Sequence, residues 1–336
     1  MANLLFDSMM YPPGPFISYA VTAAPGWSIS ASVTVGNPGR FSGTYAAGPT
    51  GNGNTFFTVP NLVTGYVGWA LQSFLSSAAT FLTFQNGNNI MYQVGINSAG
   101  FVVVYNNANV IVGTSAYPIA FSQWYYLEAS LVVDNTIGSI IVRAHNVPIV
   151  TITGIDTTYG GAYTVFDRIC WYSGQFFQDV YINDDTTASN NTFEGEITSR
   201  HFVPTADGSL VQWTPSAGAN FENVDDAVPG FDFDGSYNEA NSVGLRDLFT
   251  KPAVTLITGQ TIKAVQVTAL ARKVDPGTRK LALVTKSGAT VNLSPDKDLA
   301  TTYGEFRDTL VLDPATGLPW TLAAVNAAEV GYEITV

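Results

Sequence analysis

The stretch WYYLEASLVVD, residues 124–134, decides the fold. Tyr125, Leu127, Ala129, Leu131 and Val133 fall on every second position, and Glu128, Ser130 and Asp134 mark the other side. A period of two belongs to a strand with one face on a core and one on solvent; a helix would return its apolar residues at three and four. WSISASVTV, residues 27–35, alternates the same way, with Trp27, Ile29, Ala31, Val33 and Val35 set against serines and a threonine. The runs GYVGWALQSF, ATFLTFQN, IMYQVGI, GFVVVYNN, GSIIVRAH and DRICWYS continue the pattern, separated by NG, GN, NN, DN and PG turn signals. No long helical stripe occurs before residue 200. An antiparallel sandwich of two packed sheets is predicted for residues 1–200.

Beyond it the style persists with more charge. IKAVQVTALARK, RKLALVTKSG, EFRDTLVLDP and VGYEITV each read as a strand, and WTLAAVNAAE, rich in helix formers, predicts one short helix. Residues 247–336 therefore form a second, smaller sandwich of jelly-roll type. The Asn-, Asp-, Gly- and Ser-rich stretch 201–246 is read as an extended connection.

Composition narrows the function. Charged residues make up 12% of the chain and hydrophobic ones 46%, which excludes disorder and predicts extensive burial. Net charge is −12, the wrong sign for a nucleic-acid groove. No run of about 18 apolar residues occurs, so no membrane insertion is expected. The start MANLLFDSMMYPPGP lacks the basic flank and apolar core of a secretory signal, and folding in a cytoplasm is expected. The single cysteine, Cys170, excludes an internal disulfide and reads as a small buried hydrophobe.

Candidate chemistry is sparse. FFQDVYINDDTT, residues 176–187, gathers Asp179, Asp184 and Asp185, which flank the apolar run Val180-Tyr181-Ile182, Asp179 read at the start of that strand and Asp184 at its end. Glu194 and Glu196 in FEGEIT share a strand face at a spacing that a glycosidase pair could use, but lack an aromatic sugar platform; they read as solvent-facing. Asp184 and Asp185 are one calcium candidate, without the spacing of a D-x-D-x-D-G loop, and Asp232 and Asp234 of DFDG, with Asp225 and Asp226 upstream, are a second, weakly calcium-like one; both read better as solvated turn acids. His145 falls in a hairpin turn and His201 opens an apolar run; no nucleophile elbow, zinc spacing or phosphate loop accompanies them. No enzyme is expected. Tyr159, Tyr163, Tyr172 and Phe176, in TTYGGAYTVF and YSGQFF, are the candidate ligand-binding aromatics, since a tyrosine ring both stacks and hydrogen-bonds. The alternative is that they cover a sandwich edge or a subunit contact.

FSQWYYLEASLVV, GSIIVRAHNVPIVTITG and FDRICWYSGQFFQDVYINDDT together resemble the core of concanavalin- and laminin-G-like sandwiches, in which a Trp-led strand, a hairpin and a closing strand of DVYI-x-D type follow one another. Pro148, in the hairpin, requires an edge or turn position. The chain as a whole resembles tailed-bacteriophage and prophage virion proteins, on LLFDSMMY, DVYINDDTTASNNTFEGEI, VPTADGSLVQWTPSAGANFENVDD, AVQVTALARKVDPGTRKLALVTKSG and WTLAAVNAAEVGYEI. That resemblance implies a structural protein on the particle surface, made in the host cytoplasm, tail-associated, with a lectin-like role in host adhesion or subunit contact. Its implied partners are other virion proteins, further copies of itself (in a trimer, for instance) and a host surface glycan. A capsid decoration or connector protein without ligand is the alternative, and a polysaccharide-degrading enzyme a more distant one.

Overall fold

The computed structural model describes residues 3–7, 14–15, 27–29, 33–40, 45–49, 54–73, 77–186, 190–226 and 231–336. The chain divides into two compact units at Ser199/Arg200. Strands dominate both, paired antiparallel throughout, and the described residues include one short α-helix, Leu322–Ala327.

The first unit holds two sheets. The nine-stranded sheet runs Val147–Ile155, Gly138–Ala144, Trp124–Val132, Thr64–Ser73, Gln175–Asn183, Tyr45–Pro49, Val33–Pro38 and Gly14–Pro15, with Asn3–Asp7 also pairing to Gln175–Asn183. The seven-stranded sheet runs Ile111–Pro118, Phe101–Asn106, Asn89–Ile96, Ala79–Asn86, Phe166–Tyr172, Asn54–Leu62 and Trp27–Ile29. WSISASVTV is thus shared between layers: Trp27–Ile29 pairs with Asn54–Leu62, and Val33–Pro38 with Tyr45–Pro49. Residues 30–32 of that run lie outside the described residues, as do residues 8–11 of LLFDSMMY.

Alternation builds the core between the layers. Leu127, Ala129 and Leu131 are fully buried, as the period of two requires, and so are Trp69, Phe81, Phe84, Trp171 and Phe177. Burying one such aliphatic side chain is worth roughly 1.5–3 kcal/mol. Trp69 Nε1 donates to Gln175 Oε1 at 3.2 Å, and Gln175 Nε2 donates to Phe81 O at 2.5 Å, so one buried amide ties the two sheets together. Gly68 is demanded by a close approach: a Cβ there would collide with the Tyr181 ring.

Glu128 and Ser130 are not on a solvent face; both are buried, because the outer side of their sheet is covered as well. Asp179 is not at the start of the closing strand. It sits within Gln175–Asn183 at a register shift, with φ 52°. An irregular residue inserted mid-strand turns its side chain away from the ladder. Asp184 does close the turn, its Oδ1 accepting from Thr186 N and Oγ1 at 3.0 and 2.7 Å. His145 and Asn146 form the two-residue hairpin turn, with φ 46° and 70°, and Pro148 follows on an edge strand that needs no donor there.

The second unit carries a six-stranded sheet of Ala206–Val211, Arg246–Thr250, Glu329–Ile334, Lys280–Ser287 and Thr290–Leu293, with Lys297–Asp298 beside Lys280–Ser287. The ribbon Val265–Ala271/Gly304–Leu310 packs on it through Val267, Phe306, Leu281 and Leu283. The helix is capped by Thr321, whose Oγ1 accepts from Ala324 N at 3.1 Å. Residues 201–246 are more than a connection, since Ala206–Val211 is a strand of the sheet. Asp247 fixes this region: buried, it accepts from Gln212 N at 2.6 Å, Trp213 N at 2.9 Å and Asn220 Nδ2 at 2.7 Å.

Candidate functional site

The outer face of the seven-stranded sheet is polar where the core would make it indifferent. On Phe166–Tyr172 the inward Ile169 and Trp171 alternate with Arg168, Cys170 and Tyr172, which face outward. Arg168 is flanked by Gln85 and Thr58, Cys170 by Thr83 and Phe56, and Tyr172 by Asn54, through the ladders on either side. A shallow open groove of ≈ 440 Å³ lies on this face, lined by Asn54, Phe56, Gln85, Asn88, Ile90, Arg168, Cys170 and Tyr172. That volume suits a small ligand, for which roughly 300–1,000 Å³ is usual.

The groove is held by its own hydrogen bonds. Gln85 Nε2 donates to Thr83 Oγ1 at 2.8 Å and to Tyr172 Oη at 3.2 Å. Burial raises the Tyr172 phenol above its ordinary value, so its hydroxyl keeps its proton and can donate. Arg168 lies over the Phe56 ring, 4.3 Å from its centroid, and its Nη1 donates to Asn88 Oδ1 at 2.8 Å. Its Nε is enclosed and bonded to nothing. Cys170 is buried, and burial pushes its thiol up to about 12, so at neutral pH it is an inert part of the floor. Planar amides, a phenol and an aromatic ring on one open face are the groups that meet sugar hydroxyls and the C–H faces of a pyranose.

The four aromatics singled out in the sequence do not converge. Tyr172 alone lines the groove. Tyr159 serves the fold: at φ 55°, its hydroxyl donates to Met91 O at 2.7 Å and accepts from Asn107 N at 3.2 Å. Tyr163 packs edge-on against Tyr159 with centroids 6.1 Å apart. Phe176 belongs to the nine-stranded sheet, opposite Gln72, on the side away from the buried Phe177. Asn54, Phe56, Gln85, Asn88 and Arg168 were not singled out. Gln85 and Arg168 sit in the runs ATFLTFQN and DRICWYS, but only the sheet order sets them side by side.

The acidic candidates are occupied otherwise. Asp234 Oδ1 accepts from Arg272 Nη2 at 2.9 Å and from Tyr303 Oη at 2.7 Å, while Asp232 Oδ2 accepts from Ser236 Oγ at 2.9 Å. Among the described residues no group of three His, Cys, Asp or Glu side chains is placed to hold a metal ion, Asp232 and Asp234 included.

Glu194 and Glu196 are not on a strand. They belong to an irregular strap, residues 190–199, lying across the outer face of the nine-stranded sheet. Gly195 N donates to Glu128 Oε1 at 2.8 Å, Glu194 N to Tyr181 Oη at 3.0 Å, and Ser199 N to Asp179 Oδ1 at 3.0 Å. Tyr181 donates to Glu128 in turn, and Arg143 Nη1 lies 3.4 Å from the other Glu128 oxygen. Asn183 Nδ2 donates to Glu194 Oε1 at 2.8 Å, and Glu196 pairs with Arg40 and with His145 Nδ1. Each of these acids has at least one donor, while Glu128 Oε2 and Asp179 Oδ2 accept no hydrogen bond and face Arg143 and Arg40 at 3.4 and 4.0 Å. Asp179 is fully enclosed; burial pushes its carboxyl up to about 6, against the opposing pull of Ser199 N–H and Arg40.

No family model matches the chain, and no curated protein does. Solved structures similar to it include the cellulose-induced protein Cip1, at 17% identity over 50% of this chain and 93% of that one, with a TM-score of 0.37. Alginate lyase Aly36B matches at 11% identity over 55% of this chain and 97% of its own, with a TM-score of 0.41. A Bacillus subtilis protein of unknown function with a galectin-like fold matches at 11% identity over 55% and 96%, with a TM-score of 0.35.

Proposed function

We propose that this chain is a glycan-binding adhesion protein of a tailed-phage particle, with the sugar held in the groove of its first sandwich. The observation that carries the binding role is the groove itself: Phe56 offers a ring, and Asn54, Gln85, Asn88 and Tyr172 offer amides and a hydroxyl, on an open face of rigid strands. Placement on a virion rests on the sequence resemblance described above. Catalysis is not part of the reading. Glu194 and Glu196 are bound into the strap, and among the described residues the groove is lined by no carboxylate that could act as acid or base.

The second reading is a structural role through contacts between copies. Ile111–Pro118 and Val147–Ile155 are edge strands of their sheets and carry no charged residue. Val110, Ile111 and Val147 are 55%, 48% and 54% exposed. Edge strands without guarding charges invite pairing with another chain.

A glycan array probed with the soluble protein in each assembly state separates the two. Glycan binding that Tyr172→Ala removes, with both unfolding transitions preserved, is the expected result. An array silent in every assembly state would leave the structural role.

A further inference from the structure

Arg168 is out of character with its surroundings. Residues 1–200 contain ten acidic side chains and four basic ones, Arg40, Arg143, Arg168 and Arg200. Arg40 is held by Glu196 and Arg143 by Glu128. Arg168 instead faces the open groove and has no carboxylate in ion-pairing reach among the described residues. The seven strands of its sheet contain one acid, Asp167, and that carboxylate accepts from Gly87 N at 2.8 Å at the neighbouring turn.

The guanidinium is also held in place before any ligand arrives. The guanidinium carbon lies 4.3 Å from the Phe56 ring centroid and Asn88 holds one terminal nitrogen, which lowers the entropy lost on binding. A guanidinium is a planar set of five donors; here one Nη1 donor has a protein partner and Nε is enclosed, which leaves the remaining terminal donors to meet a ligand. Its shape matches a carboxylate, and a charge-assisted pair on a partly enclosed face is stronger than a neutral hydrogen bond. On a chain of net charge −12, this patch attracts an anion that the acidic surface elsewhere repels.

We infer that the groove selects carboxylated glycans, of uronate or sialate type, and that Arg168 is the residue that recognises the carboxylate. This rests on the glycan-binding reading and names its ligand class. The sugar ring would lie along Phe56 and Tyr172, its hydroxyls would meet Asn54, Gln85 and Asn88, and its carboxylate would meet the guanidinium.

The test is titration calorimetry on the full chain with matched ligands: oligogalacturonate against its carboxyl-reduced form, and sialyllactose against lactose. The expected result is affinity about tenfold or more higher for the acidic member of at least one pair, the size a charge-assisted hydrogen bond commands. Which pair shows it tells uronate from sialate. Arg168→Gln should erase that preference while residual neutral-sugar binding persists. Arg168→Met, which keeps the stem packed on Phe56, should do the same if the glutamine variant folds poorly. Equal affinity for both members of both pairs overturns the inference and leaves glycan binding standing, as does a preference that survives both substitutions. No binding to any of the four overturns the glycan reading and this inference with it.

Discussion

Asp179 couples the first unit to pH. Its carboxyl rises from an ordinary 3.8 to about 6 because burial penalises the charge more than Ser199 N–H and Arg40 offset it. The sign follows from proton linkage. A raised acid favours the folded state while protonated, so its contribution is complete below its unfolded value, fades as pH rises from about 4 to 6, and is gone above that. A rise of this size corresponds to about 3 kcal/mol. The stability of the natural protein relative to Asp179→Asn should therefore increase by about that much between pH 7 and pH 3.5, read from urea unfolding curves. A flat difference would mean that the carboxyl titrates normally. None of this was legible in FFQDVYINDDTT. Three acids near a strand end look alike in a sequence, and only the register shift within Gln175–Asn183 sends Asp179 inward while Asp184 caps a turn.

Among the elements, the period of two carried most of the first unit. It located the strands at 64–73, 79–86, 124–132, 138–144 and 166–172, because each has one face on the shared core. It misassigned the second face of Trp124–Val132. Glu128 interrupts an apolar run, which reads as solvent, yet the strap 190–199 covers it and supplies Gly195 N as its donor. The strap has no period of its own, since it is held by polar groups one at a time. Removing its main acceptor should show this. Glu128→Ala leaves Arg143 and Tyr181 without their carboxylate and should cost about 3 kcal/mol, the scale for breaking a buried pair. Amide exchange should speed up at Gly195 and its neighbours before it does in the sheet. Unchanged exchange there would detach the strap from Glu128. Asn54–Leu62, which supplies one wall of the groove, was missed because its outward Asn54, Phe56 and Thr58 mix polar and aromatic residues.

At the scale of the whole molecule, two units with separate cores predict two unfolding transitions in calorimetry. Trp171 is enclosed and stacked on Phe177, with centroids 5.8 Å apart, so Trp171→Ala should lower one transition alone by about 3–5 kcal/mol. Trp124, the tryptophan that heads the deciding stretch, is only half-buried beside Tyr126 and Tyr181 on the outer face. Its truncation should cost nearer the ~1 kcal/mol typical of single substitutions. Both transitions moving together under Trp171→Ala would show that the units unfold as one. The pairing of the amino-terminal region bears on how the first unit carries load. Asn3–Asp7 is sewn to Gln175–Asn183 in one layer, Trp27–Ile29 to Asn54–Leu62 in the other, and Val33–Pro38 to Tyr45–Pro49 back in the first. A force drawing on the amino end must strip seams from both layers, Trp27–Ile29 from one and its flanking strands from the other, so tension is spread through the sandwich and does not unzip a single sheet.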